Sequence, residues 1–224
     1  MILMERSAIF KEATQSEPDT ESLLKRLKVL TYGLGCEQFN KWIDSELYGY
    51  KSADIPEYRK AHGFLQGDII IGYTQIRNTS LPLPTVDYET RKKMLTYSFK
   101  EGIGGLRSLP GTEPYLMIPW PRESYPMIKK GTNITEILSA RLMLSIAHVY
   151  EILTTVDNTI LDILLELESK YGNLDKYDLE FNDEEKDSQT RQEIIQILVN
   201  NGVMIGNNND LDKTSINLDN RRSK

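Results

Sequence analysis

The stretch 36–58, CEQFNKWIDSELYGYKSADIPEY, marks a change of period, and that change constrains the fold more than any other feature. Phe39, Ile43, Leu47 and Tyr50 recur at helical spacing, and Trp42 widens the apolar stripe. Gly49 supplies a residue suited to the left-handed turn that ends a helix. A short polar loop reaches Pro56, Glu57 and Tyr58. From Ala61 the chain is rich in β-branched and aromatic residues: Phe64, Ile69, Ile70, Ile71, Tyr73 and Ile76. The stretch is therefore the joint between a helical N-terminus and a small sheet. Trp42 and Tyr58 suit it as structural anchors, each a large ring with a polar edge.

The helical part precedes the joint. Residues 4–15 form a first short helix. Ser16, Glu17, Pro18 and Asp19 read as the start of a second, with proline and acidic residues matched to a first turn. Leu23, Leu24, Leu27, Leu30 and Leu34 give its buried stripe. The loop to the joint helix is very short, so the two helices pack as an antiparallel hairpin, with Leu27 and Leu30 against Phe39 and Ile43.

Beyond the joint, one or two strands occupy 61–78. Residues 81–84, LPLP, are extended, because each proline disfavours helix in the residue before it. The spacing of Met94, Leu95, Phe99, Ile103 and Leu106 predicts a helix over 86–109, weakened by Gly102, Gly104 and Gly105. Residues 115–120 read as a short apolar strand, 121–135 as loop, and 136–145 as a strand leading into the longest helix, 146–171. There Val149, Leu153, Val156, Ile160, Ile163 and Leu167 form a heptad-like seam, broadened by Ile146, Tyr150, Leu161 and Leu164 into a core-facing stripe.

The pattern divides the chain into an α+β domain at 1–172, an acidic linker at 173–187, and a short helix at 188–200 within a terminal segment 188–224. The Asn-rich remainder reads as a flexible tail. The fold class is thus α+β: an N-terminal helical hairpin, a small mostly antiparallel sheet, a long C-terminal helix and the tail. Apolar residues at 194–198, with Val203, Ile205, Ile216 and Leu218 in the tail, predict that 173–224 stands outside the main core and serves self-association. A hydrophobic content of 39% agrees with part of the chain being solvated.

Charge and composition narrow the function. The net charge of −6 argues against bulk electrostatic binding of nucleic acid, although Arg91, Lys92 and Lys93 with Arg107 leave a local basic patch open. One cysteine excludes an internal disulfide framework and fits a reducing compartment. Met1 to Arg6 is too soon charged for a signal peptide, and charges interrupt the apolar run near 142–165, so no membrane span is expected and the cytoplasm is the default location.

Catalytic patterns are weak. The two histidines, His62 and His148, stand in no zinc-binding spacing, so no metal and no cofactor is expected. Cys36 reads as a half-buried small residue. Gly102, Gly104 and Gly105 read as close backbone packing rather than a phosphate loop. Arg141 and His148 are seven residues apart. On a continuous helix that is about two turns, placing both on one face, where an arginine holds phosphate and a histidine moves a proton, as in a ribonuclease. Asp157, Asp162 and Glu166 read as the solvated side of the long helix.

The string 39–59, FNKWIDSELYGYKSADIPEYR, resembles the signature of AbiTii-type domains of bacterial abortive-infection systems, with Trp42, Ile43, Glu46, Leu47, Gly49, Tyr50, Pro56, Tyr58 and Arg59 matching. Residues 156–168, VDNTILDILLELE, resemble a second family block, with Asp157 in place of the usual arginine. The resemblance implies an antiphage role as a toxin or accessory component and brings no catalytic set. The expectation is therefore a module acting through protein contacts or self-association, leaning away from enzyme activity. A ribonuclease using Arg141 and His148 and a nucleic-acid-binding regulator are the alternatives.

Overall fold

The joint helix and its hairpin partner are held by the residues that predicted them. In the computed structural model, which describes residues 6–51, 55–109, 111, 113–175 and 179–204, α1 spans Ala8–Ala13, α2 Thr20–Leu30 and α3 Glu37–Tyr48. Asp19 caps α2 by accepting from the Ser22 amide at 3.0 Å, which satisfies one of the helix's free N–H groups. A 3-10 turn over Tyr32–Leu34 and Gly35 reverse the chain. Leu27, Leu30, Phe39 and Ile43 then meet in one buried cluster.

After a 3-10 turn at Glu57–Arg59 come β1 (Lys60–His62), β2 (Phe64–Ile71) and β3 (Thr74–Ser80). The predicted helix over 86–109 is corrected. It is α4 (Tyr88–Met94), β4 (Thr96–Ser98) and α5 (Ile103–Arg107). Tertiary pairing overrides the apolar spacing there, because β4 pairs antiparallel with β1, aligning Ala61 with Tyr97. Next come β5 (Tyr115–Pro119), α6 (Tyr125–Lys129) and β6 (Glu136–Ser145). The predicted loop at 121–135 therefore holds a 3-10 turn, Arg122–Ser124, and α6.

The larger sheet has strand order β3-β2-β6-β5 with every neighbour antiparallel. Leu65, Ile69, Ile137, Ala140, Leu142 and Leu144 turn one face inward onto a core that includes Phe99, Leu106 and Ile128. On the other face Phe64, Tyr115 and Met117 stand exposed at strands β2 and β5, with Met143 of β6 buried between them.

α7 (Ala147–Tyr171) is the spine. Val149 and Ile152 pack on the sheet core, whereas Val156, Ile160, Ile163, Leu164 and Leu167 pack on the helical core. The wide stripe thus faces this chain's own interior. The last helix, α8 (Glu184–Asn200), starts four residues before its expected position and does not stand apart. Leu174, Ile194, Leu198 and Val203 are buried in the helical core, and Leu179 and Phe181 pack partly against it. Up to Val203, the expectation that 173–224 lies outside the core is corrected: isolated apolar residues among many acids still find a surface prepared by α3 and α7. The tail positions Ile205, Ile216 and Leu218 lie outside the described residues. No described helix is long and apolar enough to cross a membrane.

Candidate functional site

The signature residues converge on one buried polar cluster. Glu46 on α3 and Arg59 after the loop are both 0% exposed and form an ion pair through Glu46 Oε2 and Arg59 Nη2. The phenolic hydroxyls of Tyr50 (2.5 Å) and Tyr58 both donate to Glu46 Oε1, and the two tyrosine oxygens lie 3.1 Å apart. Arg59 Nη1 donates to the Glu101 carbonyl at 2.7 Å, and the guanidinium carbon lies 5.0 Å from the Tyr50 ring centroid. A buried charge pair survives only with such additional hydrogen bonds. Pro56 is buried at the head of the turn, and its carbonyl accepts from the Arg59 amide at 3.1 Å.

Two glycines allow the backbone to close over this cluster. Gly49 has φ 96°, and a Cβ there would lie 2.7 Å from the Lys100 carbonyl oxygen. A Cβ on Gly102 would lie 2.4 Å from the Leu47 carbonyl oxygen. The Tyr50 amide donates to Lys100 O at 2.8 Å, tying α3 to the chain ahead of α5. Trp42, stacked on Phe39 with centroids 6.0 Å apart, anchors the same helix in the helical core.

Burial, reinforced by the neighbouring Glu46, pushes the Tyr50 and Tyr58 hydroxyls well above the usual phenol range. Burial works against the Arg59 charge, but Glu46 and Tyr58 together outweigh it and raise the guanidinium further. Both phenols therefore stay protonated donors, and the cluster acts as a clamp between α3 and the start of β1.

The other candidate residues are dispersed. Arg141 lies on β6, where its Nη2 donates to Asn78 Oδ1 and, at 3.2 Å, to Gln66 Oε1. His148 is in the first turn of α7, with Nδ1 3.1 Å from Glu151 Oε2. The continuous helix that would put both on one face is absent, and each has its own partners. Cys36 is buried, which pushes its thiol up. Among the described residues, no cluster of three or more histidine, cysteine, aspartate or glutamate side chains is arranged to hold a metal ion.

Asp157 is only partly on the solvated side expected of it. It lines a cleft of about 320 Å³ together with residues that include Ser16, Glu17, Pro18, Arg107 and Tyr150. Thr20 Oγ1 donates to Asp157 Oδ1 at 2.6 Å, and Arg107 donates to Thr20 Oγ1 and, at 2.5 Å, to the Pro18 carbonyl. Burial raises the Asp157 carboxyl above the ordinary aspartate range. Sequence reasoning missed Thr20 as the bridge, because Thr20 and Asp157 are 137 residues apart. Asp162 accepts from Asn201 at 3.0 Å, and Glu166 pairs with Lys170 at 3.2 Å.

A second recess, of about 190 Å³, lies beside the basic patch and is lined by residues including Phe64, Leu81, Pro82, Pro84, Arg91 and Leu95. α4 has no buried residue, so Arg91, Lys92 and Lys93 are all exposed. Arg107, grouped with them from the sequence, belongs to the Asp157 cleft instead.

The model of the AbiTii family matches residues 7–194 of the chain. No curated protein and no solved structure matches it.

Proposed function

The chain belongs to the AbiTii family, an abortive-infection family of antiphage defence, and from that premise we propose that it acts through protein contacts as a toxin or adaptor module. The supporting observation is the exposed apolar patch on the larger sheet at its β5 edge. Tyr115 is 41% and Met117 52% exposed there, on the edge strand β5, which among the described residues has β6 as its one strand neighbour. Exposed apolar side chains on a flat strand surface are the usual material of a protein interface, and a free strand edge adds main-chain hydrogen bonds to it. The partner is another defence component or a second copy of this chain.

Met117→Glu tests this reading, because it places a charge on the proposed contact without touching the core. The expected result is loss of protection in a phage-challenged strain with unchanged thermal stability. Light scattering of the wild type, with and without the variant, separates self-association from a different partner. Full protection by Met117→Glu overturns the assignment.

A further inference from the structure

We propose that the recess between α4 and the β3–α4 connection, with the cations beside it, binds a single-stranded polynucleotide. Arg91, Lys92 and Lys93 are consecutive, exposed, and form no ion pair among the described residues. Glu89 is the nearest acid on the same helix, and Asp87 is engaged in capping it, accepting from the Thr90 amide at 2.9 Å. Three neighbouring cations that a protein leaves uncompensated create a local positive field, even on a chain whose net charge is −6.

What lies beside them separates a polynucleotide from a bare anion. Arg91 lines the recess together with Phe64, Pro82 and Pro84. Phe64 is 42% exposed and braced edge-on by Tyr115, with centroids 5.7 Å apart and planes at 88°. A held, exposed ring is a stacking platform that every base fits, because every base has a π face. The volume of about 190 Å³ is below the roughly 300–1,000 Å³ of pockets that enclose a whole drug-sized ligand. It suits one planar ring, with the rest of the ligand lying outside.

His62 extends the surface. It is exposed, its Nδ1 is 2.7 Å from Thr96 Oγ1, and Thr96 Oγ1 donates to the Lys92 carbonyl at 2.7 Å. The Gly63 amide donates to Leu95 O at 2.9 Å, so the segment leading to Phe64 runs along the end of α4. A strand with one base against Phe64 then passes its phosphates along Arg91, Lys92 and Lys93. The grooves of a duplex offer no splayed base to the recess.

The test is fluorescence anisotropy of the full chain with a labelled oligouridine of roughly ten nucleotides, the scale of single-strand sites. Three phosphate contacts predict that log K falls against log salt with a slope of about −2, at roughly −0.7 per contact. The triple variant Arg91→Gln, Lys92→Gln, Lys93→Gln should flatten that slope towards zero. Phe64→Ala should weaken binding about tenfold and leave the slope unchanged. Since α4 buries nothing, the triple variant should keep the wild-type circular dichroism and melting temperature, which separates lost binding from lost fold. Oligodeoxythymidine of the same length tests whether the sugar matters, and either sugar supports the proposal. No binding at low salt, equal binding by the triple variant, or equally tight binding of duplex DNA or polyglutamate overturns it. Tyr115 braces Phe64, so the two readings meet on one face and the cations of α4 separate them: the triple variant leaves Tyr115 and Met117 in place, and loss of oligouridine binding with full phage protection leaves the protein-contact reading standing.

Discussion

Glu46 has no water to fall back on, because its side chain and that of Arg59 are fully buried. Its charge is stabilised by a guanidinium and two phenols, and removing the anion strands a buried cation. Glu46→Gln should therefore destabilise the protein by about 3–5 kcal/mol in urea denaturation, the scale for breaking a buried pair. Replacing both partners, as Glu46→Leu with Arg59→Met, should cost clearly less than the sum of the two single changes, because no charge is left unmatched. Additive costs would mean that the pair is not coupled. Asp157 works in the opposite direction. Its raised carboxyl means that the folded state favours the protonated form. That contribution is fully present below the unfolded value of about 3.9 and is lost as pH rises through the folded value. Asp157→Asn removes the penalty while keeping an acceptor for Thr20. The variant should melt at or above the wild-type temperature at pH 7, and its advantage should shrink towards pH 4. A variant less stable at pH 7 than at pH 4, relative to wild type, contradicts this reading of the cleft.

At the scale of elements, α8 carries the clearest expectation. Ile194 and Leu198 are one turn apart and both fully buried. The helix is further tied by Tyr171 donating to Asp187 Oδ1 at 2.7 Å and by Arg191 donating to the Leu34 carbonyl at 3.1 Å. Leu198→Ala should cost about 2–5 kcal/mol, the range for emptying a buried aliphatic site. A chain ending at Gly172 should lose near-ultraviolet circular dichroism and bind hydrophobic dyes, because the surface under α8 is opened. A truncated chain as stable as the full one would show α8 to be dispensable. Elements with long, regular apolar spacing were legible in the sequence: α2, α3 and α7 by their helical stripes and β2 by its run of isoleucines, whereas β6, with Ile137 as its single β-branched residue, was read only as the strand leading into the long helix. The 86–109 region was not. Leu95, Phe99, Ile103 and Leu106 have helical spacing, yet they serve three short elements whose breaks come from pairing with β1 and from the close approach of Gly102 to α3. α8 was legible as a helix but not as part of the core, since burial of Leu174 and Val203 depends on surfaces distant in sequence. At the joint, the sequence named Glu46, Tyr50, Tyr58 and Arg59 but not their mutual contacts, because only the folded loop brings residues thirteen apart into one ion pair.

Across the whole molecule, the two hydrophobic clusters are physically continuous. α7 contributes Val149 and Ile152 to one and Val156 to Leu167 to the other, and Tyr58 and Leu153 pack against both. The Glu46–Arg59 clamp sits at the same seam, fixing the helical hairpin to the start of the β part. Melting the sheet core would unravel the first turns of α7 and expose Leu153, and melting the helical core would strip Tyr58 and the charged pair of their cover. Neither core therefore has a low-energy way to open alone, and unfolding should be a single cooperative transition. The chain's two tryptophans report on the two cores separately: Trp42 is buried in the helical cluster, and Trp120 packs against the sheet cluster. In Trp120→Phe the fluorescence follows the helical core, and in Trp42→Phe it follows the sheet core. For each variant, the urea midpoint by fluorescence should coincide with its midpoint by far-ultraviolet circular dichroism. A fluorescence midpoint displaced from the dichroism midpoint in either variant would show that the cores unfold separately, and that α7 and the clamp join them in space without joining them in energy.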